Sequence, residues 1–336
     1  MPLRFAPALA LLLLLAPVRG QAQAPPPLRE ADRVRMAEAF RLADAVQDRV
    51  WADWSEVPFA VLLVTDEWEY LVRHPQPSSE FAPQGYDSLL GSDVFTRPRV
   101  YPPTWLATFP AVGGRPTVVV GTPEATRMPS TRWVLTLLHE HFHQLQTMQP
   151  GYYDGVNALD LAGGDETGMW MLNYPFPYSN PATVARFNAY RDALAAAVTA
   201  EGTDGFGARV ADLTAARRAF LGRLDAKDAR YLAFQLWQEG TARYTEYRVA
   251  AMATTGYTPS PAFLALPDAV PYATASEAMR ADLARELREA DLSEWQRGAF
   301  YTVGAAEALV LDGVQPGWQR RYHTEPFALE PYLSVR

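Results

Sequence analysis

The sequence predicts an α+β fold that is predominantly helical, and three observations predict it. Two short runs rich in β-branched residues, FAVLLV at 59–64 and TVVVG at 117–121, read as buried strands. A histidine-bearing amphipathic stretch opens near residue 130, and from residue 182 onward apolar residues recur at helical spacing. A small sheet packed against the histidine helix, followed by a helical C-terminal part, lets each apolar face find a partner.

In chain order, residues 1–24 carry an arginine, an apolar run over 5–18 and the triplet Ala22-Gln23-Ala24 ahead of three prolines. The run is too short for a membrane span and reads as a secretory signal peptide cleaved near Ala24, which implies a secreted or periplasmic protein. Residues 25–336 are then expected to form a single domain, with a small α/β part to about 125 and a helical part over 130–336. The stretch 28–54 repeats apolar residues at helical spacing and predicts a long first helix. Between the two predicted strands, HPQPSSEFAPQGYDSLLGSDVFTRPRVYPP is studded with proline and glycine and reads as loop. Pro129 and Ser130 read as the cap of the histidine helix. An irregular aromatic stretch comes next, and helices are expected over 182–200, 207–224, 227–252, 275–291 and 294–312. Ser293-Glu294-Trp295-Gln296 reads as a capping box opening the last of these, and Gly313 as its close. Gly304, Ala305, Ala306 and Ala308 would let that helix approach a neighbour closely.

Charge and cysteine content exclude several functions. The formal net charge is −8, and removal of Arg4 and Arg19 with the signal takes it to −10. With no basic cluster, electrostatic binding to nucleic acid or to an anionic membrane surface is not expected. No cysteine occurs, so disulfides, thiolate ligands and a cysteine nucleophile are all excluded. Any metal must be held by nitrogen and oxygen.

The segment TLLHEHFHQLQ places three of the five histidines around one glutamate. On a helix, residues four apart share a face, so His139 and His143 form a pair while Glu140 lies one step round and His141 points nearly opposite. This is the H-E-x-x-H pattern, in which two imidazoles hold zinc and the glutamate handles a proton. A catalytic zinc takes three protein ligands and keeps a fourth position for water. Without cysteine, and with no third histidine at short spacing, the third ligand is expected to be a carboxylate. Glu239 lies on the stripe Leu232, Leu236, Glu239, Arg243, Glu246, Ala250, apolar at both ends and ionic in the middle. The bland alternative is an exposed Glu239–Arg243 pair four residues apart.

LLHEHFHQLQ followed well downstream by WQEGTARYTEY resembles the gluzincins, the zinc metallopeptidases of the thermolysin-like clan. The resemblance covers those two segments and the order of strand, motif helix and helical remainder. It implies that His139, His143 and Glu239 bind Zn2+, that Glu140 is the general base, and that the substrate is a peptide or protein. Many members place the third ligand soon after the second histidine, whereas here Glu239 lies 96 residues beyond His143 and Glu166 lies 23 beyond it. Glu166 is therefore the rival ligand, though it follows two glycines in a loop. An oxyanion donor is required, with Tyr244, Tyr247, Tyr301, Tyr322 and His323 all eligible, and Glu246, Asp165 or Glu166 could orient a ligating histidine. The alternative to catalysis is a degenerate metallopeptidase fold that binds peptide or glycan outside the cytoplasm.

Overall fold

The computed structural model describes residues 25–333, so the expected signal peptide lies outside the described residues. The first helix, α1 (Glu30–Val50), carries Glu30 and Asp32 in its first turn, where acidic groups complement the helix dipole. Its buried stripe includes Met36, Ala39, Phe40, Ala43, Val46 and Val50.

Six strands follow: β1 (Val61–Val64), β2 (Trp68–Val72), β3 (Ala82–Asp87), β4 (Ser92–Pro98), β5 (Leu106–Val112) and β6 (Arg115–Gly121). They form one sheet in the order β3-β4-β2-β1-β6-β5. Only the β1–β6 pairing is parallel, with Val61 opposite Val118 and Val64 opposite Gly121. These central strands are buried on both faces, which is why they read as continuous apolar runs. The expectation of loop between them is corrected: β3 and β4 form a hairpin within the proline- and glycine-rich stretch. APQGYD is almost wholly exposed and occupies a sheet edge, where proline is tolerated and no apolar alternation is needed.

The motif helix α2 (Ser130–Thr147) packs across β6 and β5 on one side and against α1 on the other. The indole of Trp133 donates to the Gly121 carbonyl at 2.9 Å, pinning the helix to the end of β6. Gly121 is required there, because a Cβ would lie 1.7 Å from the Pro103 carbonyl oxygen. Ser130 is not a side-chain cap as expected. Its amide and hydroxyl instead donate to Asp268 at 2.9 and 2.7 Å, which sets a carboxylate at the positive end of the helix.

The remainder is helical: α3 (Pro181–Ala200), α4 (Phe206–Leu221), α5 (Ala226–Gln235), α6 (Thr241–Gly256), α7 (Tyr272–Glu289) and α8 (Gly298–Val314). Two expectations are corrected here. The helix predicted over 227–252 is interrupted by a π-turn at Leu236–Gly240 between α5 and α6. The expected capping box also fails, because Asp291 takes the cap, accepting from the amides of Ser293 and Glu294, and the short helix Leu292–Trp295 ends at Gln296 with φ of 48°. α8 begins only after that break and runs past Gly313. The close approach foreseen for its small residues does occur: a Cβ on Gly240 would lie 2.5 Å from the Cα of Gly304.

Candidate metal centre

Two elements bring the site together. α2 presents His139 and His143 on one face, and the π-turn presents Glu239 from the opposite wall. The two imidazole Nε2 atoms lie 3.1 Å apart. Oε2 of Glu239 is 3.3 Å from His143 Nε2 and 3.8 Å from His139 Nε2. Two ligands about 2.0–2.1 Å from a tetrahedral zinc would be roughly 3.3 Å apart, so the spacing suits a cation of that kind. Glu239 keeps 16% of its side chain exposed and each histidine 8%, so the group is buried with one narrow face to solvent.

Hydrogen bonds fix which ring nitrogens are free. Glu246 Oε1 lies 2.7 Å from His139 Nδ1, and Arg132 pairs with the other oxygen of Glu246 at 2.7 Å. Burial works against ionisation of Glu246, but Arg132 and His139 outweigh it and hold the carboxyl down to about 2. An ionised carboxylate can only accept, so Nδ1 of His139 carries a proton toward it and Nε2 is the nitrogen left for a cation. At His143, Gln146 Oε1 lies 2.6 Å from Nδ1 and Gln238 Nε2 lies 3.3 Å from it; the shorter contact, to an acceptor, gives the same tautomer. Two Nε2 atoms therefore face each other beside a carboxylate.

The electrostatics agree. Burial opposes a charge on His139, yet Glu239 and Glu246 raise its pKa to about 10. Burial likewise opposes charge on Glu239, while His143, His139 and Arg297 hold its carboxyl well below the usual range. The cluster favours positive charge between the imidazoles. His139, His143 and Glu239 thus form a buried group that could bind a metal ion.

Glu140, buried beside them, is held by the Thr108 hydroxyl of β5, which lies 2.8 Å from its Oε2 and 2.9 Å from its main-chain carbonyl. Glu166, the rival ligand, is exposed, and Asp165 accepts bonds from its own loop at Thr167 and Trp170. Of the five proposed oxyanion donors, Tyr301 lies against the site, its ring parallel to that of His139 with centroids 6.3 Å apart. Burial and the nearby Glu239 push its phenol well above the ordinary value. The others are placed elsewhere. Tyr244 bonds to Asp312, Tyr247 is buried beside Arg243 and Glu246, Tyr322 donates to the Trp237 carbonyl, and His323 packs on Trp51.

Sequence reasoning missed Arg297 and Thr108. Arg297 stands at the start of α8, and its Nη1 lies 3.2 Å from Glu239 Oε1, so Oε2 is left to face the imidazoles. Arg243, the partner of Glu239 in the bland alternative, bonds to Glu286 and Thr302 instead. No family model matches the chain, and neither a curated protein nor a solved structure matches it.

Proposed function

We propose that this chain is an exported, zinc-dependent metallopeptidase of gluzincin type that hydrolyses peptide bonds. The observation that carries the reading is the convergence of two Nε2 atoms and one carboxylate oxygen, with the intact Glu140 beside them. When bound, zinc supplies Lewis acidity toward a carbonyl and lowers the pKa of a water toward neutrality. The Glu140 carboxylate would take up a proton from an attacking water and hand it to the leaving amine. Thr108 keeps the Glu140 carboxylate from swinging away, and Tyr301 is the donor placed to meet negative charge growing on the carbonyl oxygen. Glu246 and Gln146 keep the imidazoles in the tautomer that binds. Export is supported by the apolar run and A-x-A triplet at the N-terminus. Among the described residues no helix is long and apolar enough to cross a membrane.

The test is zinc per chain and hydrolysis of a mixed peptide library, for the wild type and Glu140→Gln. One zinc per chain in both, with turnover only in the wild type, is the expected result. A chain that binds peptide without metal or turnover would instead be a binding protein on a degenerate fold.

A further inference from the structure

Helix ladders seldom widen by a residue, and where one does the displaced carbonyls need partners. The π-turn at Leu236–Gly240 contains the ligand Glu239, and its carbonyls are met by side chains. Nε2 of Gln146 lies 3.1 Å from the Gln238 carbonyl and 3.3 Å from that of Trp237. The Tyr322 hydroxyl donates to the same Trp237 carbonyl at 2.5 Å and accepts from Gln146 Nε2 at 2.7 Å. The other end of the Gln146 carboxamide is the oxygen that accepts from His143 Nδ1 at 2.6 Å. Gln146 is fully buried, and Tyr322 is clamped flat against Trp237, with centroids 4.5 Å apart and planes 6° from parallel.

One carboxamide therefore joins two ligands that come from distant segments. Its oxygen orients the ring of His143, and its nitrogen holds the widened turn that aims Glu239. We infer that Gln146, braced by Tyr322, is a positioning residue of the metal centre: it sets His143 and the Glu239 turn in register so that both reach one cation. The inference rests on the metal-binding part of the reading above and does not need the chain to be a peptidase. A carboxamide suits the role because it must accept at one end and donate at the other, which neither a carboxylate nor an aliphatic side chain can do.

The experiment measures zinc dissociation constants by competition with a chromophoric chelator, cobalt(II) absorption spectra, and the stability of the metal-free protein. It compares the wild type with Gln146→Leu, Gln146→Glu and Tyr322→Phe. Gln146→Leu should weaken zinc about 10- to 100-fold, the range usual for loss of a partner that orients a ligand. Gln146→Glu keeps an acceptor for His143 but sets a carboxylate against two carbonyls; it should weaken zinc about 10-fold and shift the cobalt spectrum as Glu239 moves. Tyr322→Phe, which keeps the carboxamide, should have the smallest effect of the three. Variants that lose metal-free stability while keeping wild-type zinc affinity and cobalt spectrum would overturn the inference. If Gln146→Leu does not fold, Gln146→Glu decides on the same criterion. A wild type that binds zinc without hydrolysing peptides leaves the inference standing and removes the peptidase reading, whereas one that binds no metal removes both.

Discussion

The two faces of helix α2 carry the same local pattern and put it to opposite uses. On one face His141 bonds through Nδ1 to Gln144 at 2.8 Å, and on the other His143 bonds through Nδ1 to Gln146 at 2.6 Å. Each imidazole is thus oriented by a glutamine three residues on. What differs is the surroundings of the second nitrogen. His141 has its Nε2 3.3 Å from Gln47 Oε1, its ring is sandwiched by Phe59, 4.0 Å away and 3° from parallel, and by Trp54, and burial pushes its pKa down to about 3. Its glutamine is spent on the backbone, donating to the carbonyls of Ala60 and Pro116 at the sheet. His143 faces another imidazole and a carboxylate. Histidine with a partner three residues away is therefore not in itself a sign of a ligand; a second nitrogen that faces another imidazole and a carboxylate is.

Tests can break that contrast in order of expected size. Glu140→Gln should lower turnover about 100- to 10,000-fold while zinc per chain stays at the wild-type value, measured by metal analysis and peptide hydrolysis. Retained turnover would remove the proton-handling role. Next, His141→Ala should cost about 3 kcal/mol of unfolding free energy, as for loss of a packed aromatic ring, with zinc binding preserved. His143→Ala should do the reverse, abolishing zinc binding and costing the metal-free protein no more than about 2 kcal/mol. Denaturant titrations with and without zinc read both variants. If their effects were exchanged, the assignment of the two faces would be wrong. Third, zinc at a hundred times its dissociation constant should add about 2.7 kcal/mol to wild-type stability, lost on chelation and absent in His143→Ala.

The smallest effect concerns the start of the same helix. Burial raises the pKa of Asp268, but the bonds from Ser130 and the charge of Arg35 outweigh it, so the folded value is depressed. A depressed carboxylate contributes stability above its unfolded pKa, about 3.9, and that contribution is lost as pH falls through the folded value. Asp268→Asn should therefore cost about 1 kcal/mol near neutrality and leave a shallower loss of stability below pH 4 than the wild type shows. Equal acid limbs in the two proteins would mean that Asp268 does not anchor α2.

Much of this was legible before the structure. The four-residue spacing of His139 and His143 required one face, and Glu239 stood out on a stripe that is apolar at both ends and ionic in the middle. The hairpin of β3 and β4 was illegible because an exposed edge strand such as APQGYD carries no alternation to detect. Arg297 was hidden for a different reason. Its place depends on a non-glycine residue, Gln296, adopting positive φ, for which the sequence offers no signal, and the Ser293–Gln296 pattern pointed the other way. Gln146 was visible but ambiguous, since Gln144 has the same spacing from a histidine on the structural face.

The contact between Gly240 and Gly304 carries a last consequence. With backbone seated directly on backbone there is no slack at this crossing, and a single methyl at either position would work as a wedge beside Glu239. Neither position can be rescued by shrinking its opposite number, which has no side chain left to give up. The aim of the Glu239 carboxylate is thereby set by an absence of atoms, and a change too small to notice on the surface would be felt there first.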